Sequence, residues 1–447
     1  MLIHETIFKA YDIRGIYPQE INAEIMRRIG QAFAKFCTAT EVLVGYDMRL
    51  SSYELKMAFI SGILSQGVDV VDIGLITTDT LYFVSGKYNL PGAMITASHN
   101  PKELNGVKFC QAGAMPIGEN SGLLQIKDLV LHQDFVDKES LGKVEIRENA
   151  LPEFAGYVLT FIDSQKIKNK KIVIDAGNGM AGKLCPLVFD QLSVEVVPLF
   201  FELDGNFPNH QPSPIEKENN RFLTAKIKEV GADLGLAFDG DADRIFFFDE
   251  NGQVIDSSFI TAMIAESFLQ KYKGEMVLYN VNVSRVVPEI VEENGGKSLM
   301  TKVGHSFVKE KMKETNAIFA GEHSGHYFFR DNYRADSGII AGLMVLEKFC
   351  DTQLSMSEFM QKYARYSRIE ETNFTVKNKN EIIEKIKKIY DHYLIQDYDG
   401  VSFEMGAWRF GVRSSNTEPL LRLNLEARDE KLLNEKFTEI RGLITNS

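Results

Sequence analysis

A loop of three aspartates followed by an arginine is the stretch of this 447-residue chain whose chemistry is most specific. Asp239, Asp241 and Asp243 stand at alternate positions behind an apolar run, and Arg244 comes directly after them. A turn of this kind points several carboxylate oxygens at one spot, and Mg²⁺ and Ca²⁺ take oxygen ligands. A guanidinium group also matches the geometry of a phosphate. The loop therefore indicates a metal ion and a phosphate at the same place.

Three other interpretations of this loop compete with a metal and phosphate site. A solvated acidic turn is the simplest of them and stays open. An EF-hand calcium loop would use Glu250 at its twelfth position, but Arg244 stands where that loop needs glycine. An aspartyl-phosphate enzyme would use Asp239 as its nucleophile, and such enzymes usually carry Thr or Val at the place of Asp243. The pattern favours a metal site that keeps one ligand position open for a phosphoryl oxygen.

The loop of residues 96–101 offers a hydroxyl group to receive the phosphoryl group. Ser98 follows the apolar residues 93–95, so it lies at the end of a predicted strand, and Asn-Pro favours a turn after it. A serine beside a histidine usually makes only a surface hydrogen bond, and no GxSxG motif of a serine hydrolase is present in the sequence. Lys108 follows a short strand later. Such a lysine balances phosphate charge, or it shuttles a proton if its pKa is lowered.

Two further loops suggest sugar and phosphate binding. In residues 321–326, Glu322 and Ser324 point the same way from an extended segment and could bind vicinal sugar hydroxyls. In residues 413–419, Arg413 with several hydroxyl and amide donors could form a phosphate cradle. Each loop is equally compatible with an ordinary turn.

Two single residues complete the set of candidates. Arg14 stands before a glycine near the N-terminus, and His305 follows a predicted strand. A lone histidine is more often structural than catalytic. These two positions gain meaning only from the other loops.

Composition limits the classes of protein to which the chain can belong. Its length suggests three or four domains of ordinary size. The net charge is −12 without a basic block, which disfavours nucleic-acid binding and requires the cations to be concentrated where an anion binds. No apolar run reaches the roughly 20 residues of a membrane span, and the N-terminus does not resemble a signal peptide. We expect a cytoplasmic protein with four reduced cysteines, which is a monomer or a homodimer.

The elements around these loops alternate between strands and helices. Three times a β-rich run ends in a polar loop, a helix follows, and a second apolar run comes next; the paired runs are 41–49 with 67–74, 171–179 with 194–199, and 275–285 with 297–301. Such alternation predicts an α/β fold with parallel sheets covered on both faces. In open α/β sheets the ligand binds at the carboxyl ends of the strands. Three related domains could therefore direct three loops at one cleft.

The last part of the chain has a different pattern, that of a small α+β domain. One helical face is predicted to carry Ile382, Ile383, Ile386, Ile389, Tyr390 and Tyr393. Residues 420–425 alternate like a half-buried strand, and a final helix begins near Asp429. We expect boundaries near 148, 251 and 364, which give domains 1–148, 149–251, 252–364 and 365–447.

Six motifs in order and spacing resemble those of the α-D-phosphohexomutase family, specifically its phosphomannomutase/phosphoglucomutase group. They are AYDIRG at 10–15, TASHNP at 96–101, DGDADR at 239–244, VGHSFVKEKM at 303–312, GEHSGH at 321–326 and RSSNTEP at 413–419. The resemblance covers essentially the whole chain. It implies four domains around a deep cleft, three with a mixed-sheet α/β topology and one small C-terminal α+β domain.

The resemblance also implies a reaction, a cofactor and roles for residues. The reaction is reversible transfer of phosphate between C6 and C1 of mannose and glucose phosphates through a hexose 1,6-bisphosphate, with Mg²⁺. Ser98 would be the resting phosphoserine, whose phosphoryl oxygen completes the metal site of Asp239, Asp241 and Asp243. Contacts with the sugar are implied for Arg244, Glu322 and Ser324, and contacts with the non-reacting phosphate for Arg413, Ser415, Asn416 and Thr417. Arg14, Lys108, His305 and His326 match positions near the reacting group.

Three alternatives to a mannose or glucose phosphate mutase remain open on the sequence. Phosphoglucosamine mutases of the same family usually carry Gln in place of His323. A magnesium-dependent phosphatase would form an aspartyl-phosphate on Asp239. A sugar-phosphate binding protein without activity would not need Ser98. The chain departs from the family at Asn282, where lysine is frequent, and this departure affects substrate preference rather than the reaction.

Overall fold

A computed structural model describes residues 3–369, 371–414 and 420–445, which build four β-sheets flanked by helices. Among these residues no helix is both long and apolar enough to traverse a lipid bilayer. Cys37, Cys110, Cys185 and Cys350 are free thiols, as predicted.

The first sheet is mixed, with four parallel strands and an antiparallel edge. Its elements are β1 Ile13–Ile16, α1 Ala23–Cys37, β2 Glu41–Tyr46, α2 Ser52–Ser65, β3 Asp69–Leu75, α3 Thr78–Tyr88, β4 Gly92–Ile95, β5 Leu104–Gln111, β6 Met115–Pro116, α4 Leu123–His132 and β7 Val144–Ile146. The strand order is β1-β5-β4-β2-β3-β7, and β6 pairs with β5. Strand β5 runs antiparallel to both β1 and β4. The residue pattern predicted parallel pairing throughout, which is wrong here because β4 returns through a short loop without a crossover helix.

The second and third sheets repeat a parallel core with an antiparallel edge. The strands of the second sheet and the helices around it are α5 Ala150–Val158, β8 Lys168–Asp175, α6 Ala181–Phe189, β9 Ser193–Leu199, α7 Arg221–Val230, β10 Leu234–Phe238, β11 Ile245–Phe248 and β12 Val254–Ile255. The strand order is β12-β11-β10-β8-β9.

The strands of the third sheet and the helices around it are α8 Ser257–Lys271, β13 Met276–Asn280, α9 Val286–Glu293, β14 Lys297–Thr301, α10 His305–Thr315, β15 Phe319–Gly321, β16 Tyr327–Phe329, α11 Gly338–Cys350 and α12 Met356–Met360. The strand order is β14-β13-β15-β16.

The fourth sheet is antiparallel and belongs to a small α+β domain, as predicted. Its elements are β17 Ser367–Arg368, β18 Thr372–Thr375, α13 Lys379–Tyr390, β19 Leu394–Gln396, β20 Val401–Glu404, β21 Trp408–Ser414, β22 Leu420–Ala427 and α14 Glu430–Thr445. Residues 420–425 of strand β22 alternate between half-buried and buried side chains, as expected. The predicted face of α13 is partly wrong, because Ile389 is 52% exposed and Tyr393, which is 49% exposed, lies beyond the end of the helix. The true buried face is Ile382, Ile386 and Tyr390, at the spacing of one helical stripe.

The largest hydrophobic cluster is shared by the first three domains, and a second one lies wholly within the first domain. One cluster of buried side chains runs from Leu43 in β2 through Ile174 in β8 to Val277 in β13. The fourth domain has a separate core of its own, which includes Ile386 and Phe410. The first three domains therefore form one packed body, and the fourth is joined to it by polar contacts.

Candidate functional site

Loops from three domains meet at the carboxyl ends of their strands. The serine loop, residues 96–101, follows β4; the metal loop, residues 239–244, joins β10 to β11; and the sugar loop, residues 321–326, joins β15 to β16. A cavity of about 200 Å³ lies between these loops. Eight of the predicted site residues line it: Arg14, Ser98, Lys108, Arg244, His305, Glu322, Ser324 and His326. The expectation that loops of three domains face one cleft is confirmed.

Ser98 is held directly against the metal loop. Its Oγ donates a hydrogen bond of 2.7 Å to Oδ2 of Asp239, and the residue is 1% exposed. Its φ is 52°, in the left-handed region that non-glycine residues rarely adopt. A Cβ at position 240 would lie 2.4 Å from the carbonyl oxygen of Ser98. Gly240 therefore allows the two loops to approach this closely.

The three aspartates form a buried cluster that fits a metal ion. Ligand oxygens of Asp239, Asp241 and Asp243 lie within 4.8 Å of one another. Oδ1 of Asp241 and Oδ1 of Asp243 are buried and make no hydrogen bond with the residues that the structure describes. Buried carboxylate oxygens without partners are costly. A hard divalent cation would satisfy them with the type of ligand that it prefers.

Lys108 supplies a positive charge to this cluster. Its Nζ lies 2.7 Å from Oδ2 of Asp241 and 2.6 Å from Oδ2 of Asp243. Burial disfavours the charged lysine, but the two carboxylates outweigh burial and raise the pKa of Lys108 well above its usual value. The structure therefore supports charge balance by Lys108, and it does not give this lysine the lowered pKa that a proton shuttle would need.

The carboxylates carry more negative charge than Lys108 neutralises. Burial, and then the charges of Asp243 and Asp241, raise the pKa of Asp239 well above its usual value. Burial opposes the ionisation of Asp241 as well, but Lys108 and a hydrogen bond of 2.6 Å from Oγ1 of Thr78 lower the pKa of Asp241 on balance. A divalent cation in the cluster would relieve the repulsion that raises the pKa of Asp239.

Two arginines bring further positive charge to the cavity. Nη2 of Arg14 is paired with Oδ2 of Asp12. Nη2 of Arg244 donates to Nδ1 of His99 over 2.9 Å, and its Nε lies 3.5 Å from Oδ2 of Asp239. Cationic side chains are therefore concentrated at the cavity of a chain whose net charge is −12, as a site for an anion requires.

Two histidines face the cavity in different environments. His305 is the first residue of α10, and burial, followed by the charge of Lys309, lowers its pKa well below the usual value, so its ring is uncharged at neutral pH. Nδ1 of His326 lies 2.8 Å from Oδ2 of Asp336. The other carboxylate oxygen of Asp336 lies 2.8 Å from Nζ of Lys309. A carboxylate and an ammonium group therefore lie next to the His326 ring.

Glu322, on the sugar loop, is held by two hydrogen bonds. Glu322 is 1% exposed, and its Oε1 accepts hydrogen bonds from Nδ2 of Asn280 over 3.2 Å and from the backbone N–H of Gly304 over 2.9 Å. Ser324 is half-buried on the same loop. Both predicted sugar ligands line the cavity.

The predicted phosphate loop is described only in part. Nη2 of Arg413, on β21, lies 3.4 Å from Oδ1 of Asp399. Oδ2 of Asp399 accepts the N–H of Val303 over 2.9 Å, and Val303 lines the cavity. The predicted ligands that follow on the loop, Ser415, Asn416 and Thr417, lie outside the described residues.

Asn282 joins two domains and is not part of the cavity lining. Its Nδ2 donates to Oε2 of Glu371 over 3.4 Å, and its Oδ1 accepts from Nδ2 of Asn424 over 3.2 Å. Both partners belong to the fourth domain. The departure from the family pattern therefore lies at the contact between the third and fourth domains.

Three residues around the site were not singled out from the sequence: Arg49, Thr78 and Asp336. Arg49 follows Asp47 at the carboxyl end of β2, beside β4, and this charged pair in a strand-end loop was a usable signal. The local sequence gives no signal for Thr78, because its partner Asp241 belongs to the second domain. It gives none for Asp336 either, because His326 and Lys309 approach this residue only in the folded third domain.

The chain is similar to known proteins over its whole length. Models described as phosphoglucomutase/phosphomannomutase alpha/beta/alpha domains I, II and III and C-terminal domain match residues 5–137, 152–252, 256–366 and 371–443. A phosphomannomutase of Vibrio cholerae is 39% identical over 98% of each chain. A phosphomannomutase of Methanocaldococcus jannaschii is 36% identical over 98% of this chain and 97% of its own.

The similarity extends to solved structures. A phosphoglucomutase/phosphomannomutase family protein from Burkholderia thailandensis superposes with a TM-score of 0.91 at 32% identity, over 100% of this chain and 98% of the other. The predicted fold class, three α/β domains and a small C-terminal α+β domain, is thereby confirmed.

Proposed function

We propose that this protein is a phosphohexomutase, from the premise that the chain belongs to the phosphoglucomutase/phosphomannomutase family. The reaction is reversible movement of a phosphoryl group between C6 and C1 of a hexose phosphate. The observation that carries the proposal is the hydrogen bond of 2.7 Å between Ser98 Oγ and Asp239, within a buried carboxylate cluster at a cationic cavity.

The reaction takes place in two transfers through Ser98. In the first, the bond between Ser98 Oγ and phosphorus breaks and Ser98 Oγ gains a proton, while a free hydroxyl oxygen of the hexose monophosphate bonds to phosphorus and loses its proton. The product is a hexose 1,6-bisphosphate. After it has turned end for end, the bond between its other phosphoryl group and the sugar oxygen breaks. That group returns to Ser98 Oγ, which loses its proton, and the sugar oxygen gains one. Such transfers depend mainly on positioning and charge neutralisation.

The chain provides both requirements at the serine. Asp239, Asp241 and Asp243 would hold Mg²⁺, which when bound neutralises charge on the phosphoryl group. Lys108 and Arg14 supply fixed positive charge beside it. The uncharged His305 is suited to accept the hydroxyl proton, and His326, which lies beside the carboxylate of Asp336, is suited to return one.

Two further sets of residues bind the sugar and the distant phosphate. We assign the sugar hydroxyls to Glu322, Ser324 and Arg244, which line the same cavity as Ser98. We assign the non-reacting phosphate to the cradle of Arg413, Ser415, Asn416 and Thr417. Because the two transfers need each phosphate of the bisphosphate to be held in turn, the phosphate cradle is proposed as a site distinct from Ser98.

Mannose and glucose phosphates are the substrates that we infer. The inference is supported by relatives named phosphomannomutase at 36–39% identity. We also place the protein in the cytoplasm, as a monomer or homodimer. We keep domain limits near 148, 251 and 364; the second sheet extends just past the second of these, because β12 still pairs with β11.

The test combines intact mass with a coupled assay. The purified protein should carry one phosphate on Ser98, lose it on exposure to hexose 6-phosphate, and convert mannose 1-phosphate in the presence of Mg²⁺ and a bisphosphate activator. Ser98→Ala should abolish the bound phosphate and the turnover, whereas Ser164→Ala, at an exposed serine, should change neither of them.

Other outcomes would identify other functions. Turnover of glucosamine phosphate alone would assign the other mutase of the family. Hydrolysis that survives Ser98→Ala but is lost in Asp239→Asn would indicate an aspartyl-phosphate phosphatase. Binding without turnover would indicate a binding protein.

A further inference from the structure

One buried arginine, Arg49, binds several backbone carbonyl groups in and just after the serine loop. Nη2 of Arg49 donates to the carbonyl oxygens of Ser98 over 2.7 Å and Asn100 over 2.6 Å. Its Nη1 donates to the carbonyl oxygens of Pro101 and Leu104, each over 2.9 Å. One guanidinium therefore binds four carbonyl oxygens, three in the serine loop and one at the start of β5, which is the type of rigid multiple contact that a lysine cannot reproduce.

The arginine is itself held in place from both of the first two domains. Its side chain is 1% exposed, and its Nε lies 3.5 Å from Oδ2 of the buried Asp47. Oδ1 of Asp47 accepts from Oγ of Ser52 over 2.5 Å. The guanidinium lies over the ring of Phe207, in the second domain, at 5.2 Å. A Cβ at Gly205 would lie 2.8 Å from Cα of Arg49, so the backbone of the second domain also packs closely against the backbone of Arg49.

The contact at Ser98 bears on the conformation of the nucleophile. Ser98 has a φ of 52°, a conformation that persists only where the surroundings impose it. Its carbonyl oxygen is held by Arg49 on one side and lies against Gly240 on the other. With the carbonyl fixed, the backbone places the Cα–Cβ bond of Ser98 so that its Oγ reaches Oδ2 of Asp239 over 2.7 Å.

We propose that Arg49 is a positioning residue that imposes the left-handed conformation of Ser98 and so aims its Oγ at the metal site. The proposal rests on the proposed role of Ser98. Arg49 does not line the cavity that holds the predicted substrate ligands. Its loss should therefore slow phosphoryl transfer and leave substrate binding intact, since misplacing a reacting atom affects the rate rather than the binding.

The test replaces Arg49 and compares it with an arginine that plays the same structural part elsewhere. Arg28, in α1, donates to the carbonyl oxygens of Val130 and Gln133 and lies 5.5 Å from the ring of Phe135. We expect Arg49→Lys to lower kcat about 10- to 100-fold, with KM within about twofold. Rates are expressed per molecule with phosphate on Ser98, counted by intact mass, so that a smaller folded fraction does not lower them. Arg28→Lys should keep the wild-type kcat.

A second readout does not depend on catalysis. Amide hydrogen exchange of residues 96–106 should accelerate in Arg49→Lys and stay unchanged in Arg28→Lys. If Arg49→Lys does not fold, Phe207→Leu removes the ring and keeps the guanidinium, and it should change kcat and exchange in the same direction by less. Wild-type kcat and unchanged exchange in the Arg49 and Phe207 variants would overturn the proposal. Absence of mutase turnover in the wild type would instead refute the proposed function, and the exchange experiment would still test the contact.

Discussion

At the scale of single residues, the site is governed by the balance of buried charge. Asp239, Asp241 and Asp243 face one ammonium group, that of Lys108, at distances of 2.6–2.7 Å to two of them. Two of their oxygens have no hydrogen-bond partner among the described residues. The second nearby cation is Arg244, whose Nε lies 3.5 Å from Oδ2 of Asp239. Three carboxylates therefore face two cations, and this explains why a metal ion fits the cluster.

Asp241→Asn tests this balance. The change removes one anionic ligand while Lys108 keeps its contact with Asp243. We expect kcat to fall about 100- to 1000-fold, because charge neutralisation matters most during transfer, and KM to change little. Steady-state kinetics during a Mg²⁺ titration would measure both, and chelation should abolish wild-type turnover until Mg²⁺ is restored.

The control for this variant is Asp134→Asn, at an exposed aspartate, which should be indistinguishable from the wild type. A kcat for Asp241→Asn within about twofold of the control would contradict a metal role for the cluster.

At the scale of elements, the site is a meeting of loops at strand ends, and the metal loop has to touch the serine loop. Gly240→Ala should disturb this contact, because the added Cβ would lie 2.4 Å from the carbonyl oxygen of Ser98. We expect a fall in kcat of about 100-fold, since the nucleophile moves relative to the metal, together with a lower melting temperature.

The same substitution at a position with free space separates this clash from the general effect of adding a methyl group. Nothing lies within 4 Å of a Cβ at Gly156, in the helix α5, so Gly156→Ala should stabilise the protein by about 0.5–1 kcal/mol without changing kcat. Thermal unfolding and kinetics of both variants decide the matter. Equal effects of the two changes would refute the contact between the loops.

The sequence predicted these elements well where the information is local. The strands predicted before Ser98, before Asp239 and at Ile245–Phe248 are all present. They could be predicted because apolar β-rich runs bounded by turn residues are recognisable in the sequence. The sequence also predicted which loops meet, since the carboxyl ends of the strands carry the ligand site in an α/β sheet.

The sequence failed where the partner is a backbone group or is brought close only by the path of a loop. The contact of Asp336 with His326 requires that the loop after β16 fold back on the sugar loop, which no periodicity encodes. The carbonyl oxygens bound by Arg49 carry no side-chain signal at all. The apolar face predicted for α13 was too wide, because Ile389 lies outside the stripe of Ile382, Ile386 and Tyr390 and is 52% exposed.

At the scale of the whole molecule, helix α3 joins three domains behind the site. Oγ1 of Thr78 donates to Asp241 of the second domain over 2.6 Å, and Oγ of Ser337 in the third domain donates to Asp79 over 2.7 Å. Nζ of Lys309 lies 3.5 Å from the centre of the Tyr82 ring. The same helix therefore supports the metal site and fixes the arrangement of the domains.

Asp79 gives this junction a predictable pH dependence. Burial raises its pKa from 3.8 to about 8, although hydrogen bonds from Thr77 and Ser337 oppose the change. The folded state keeps a proton that the unfolded state has lost, so this stabilising contribution is complete below about pH 4 and is lost as the pH rises toward about 8. Asp79→Asn stays neutral, so its free energy of unfolding should fall less than that of the wild type over this range.

Urea unfolding at a series of pH values would measure the difference, which we expect to be of order 1 kcal/mol per pH unit between the two curves. Asp134→Asn serves again as the control and should follow the wild type. Parallel curves for the wild type and Asp79→Asn would show that Asp79 is ionised in the folded protein.

The fourth domain, with its separate core, should contribute binding rather than chemistry. Arg413 is anchored to Asp399, which also holds the backbone of Val303 at the cavity wall. Arg413→Ala removes a cation from the proposed phosphate cradle and leaves the contact between Asp399 and Val303 in place. We expect KM to rise about tenfold or more with kcat changed by less than about threefold, because the contact of Arg413 with the phosphate is the same in the ground and transition states.

The control is Arg428→Ala, in the same domain at a side chain that is 69% exposed, which should leave both constants unchanged. A fall in kcat at constant KM in Arg413→Ala would mean that the fourth domain takes part in phosphoryl transfer itself, and the division between a packed catalytic body and a separate binding domain would be wrong.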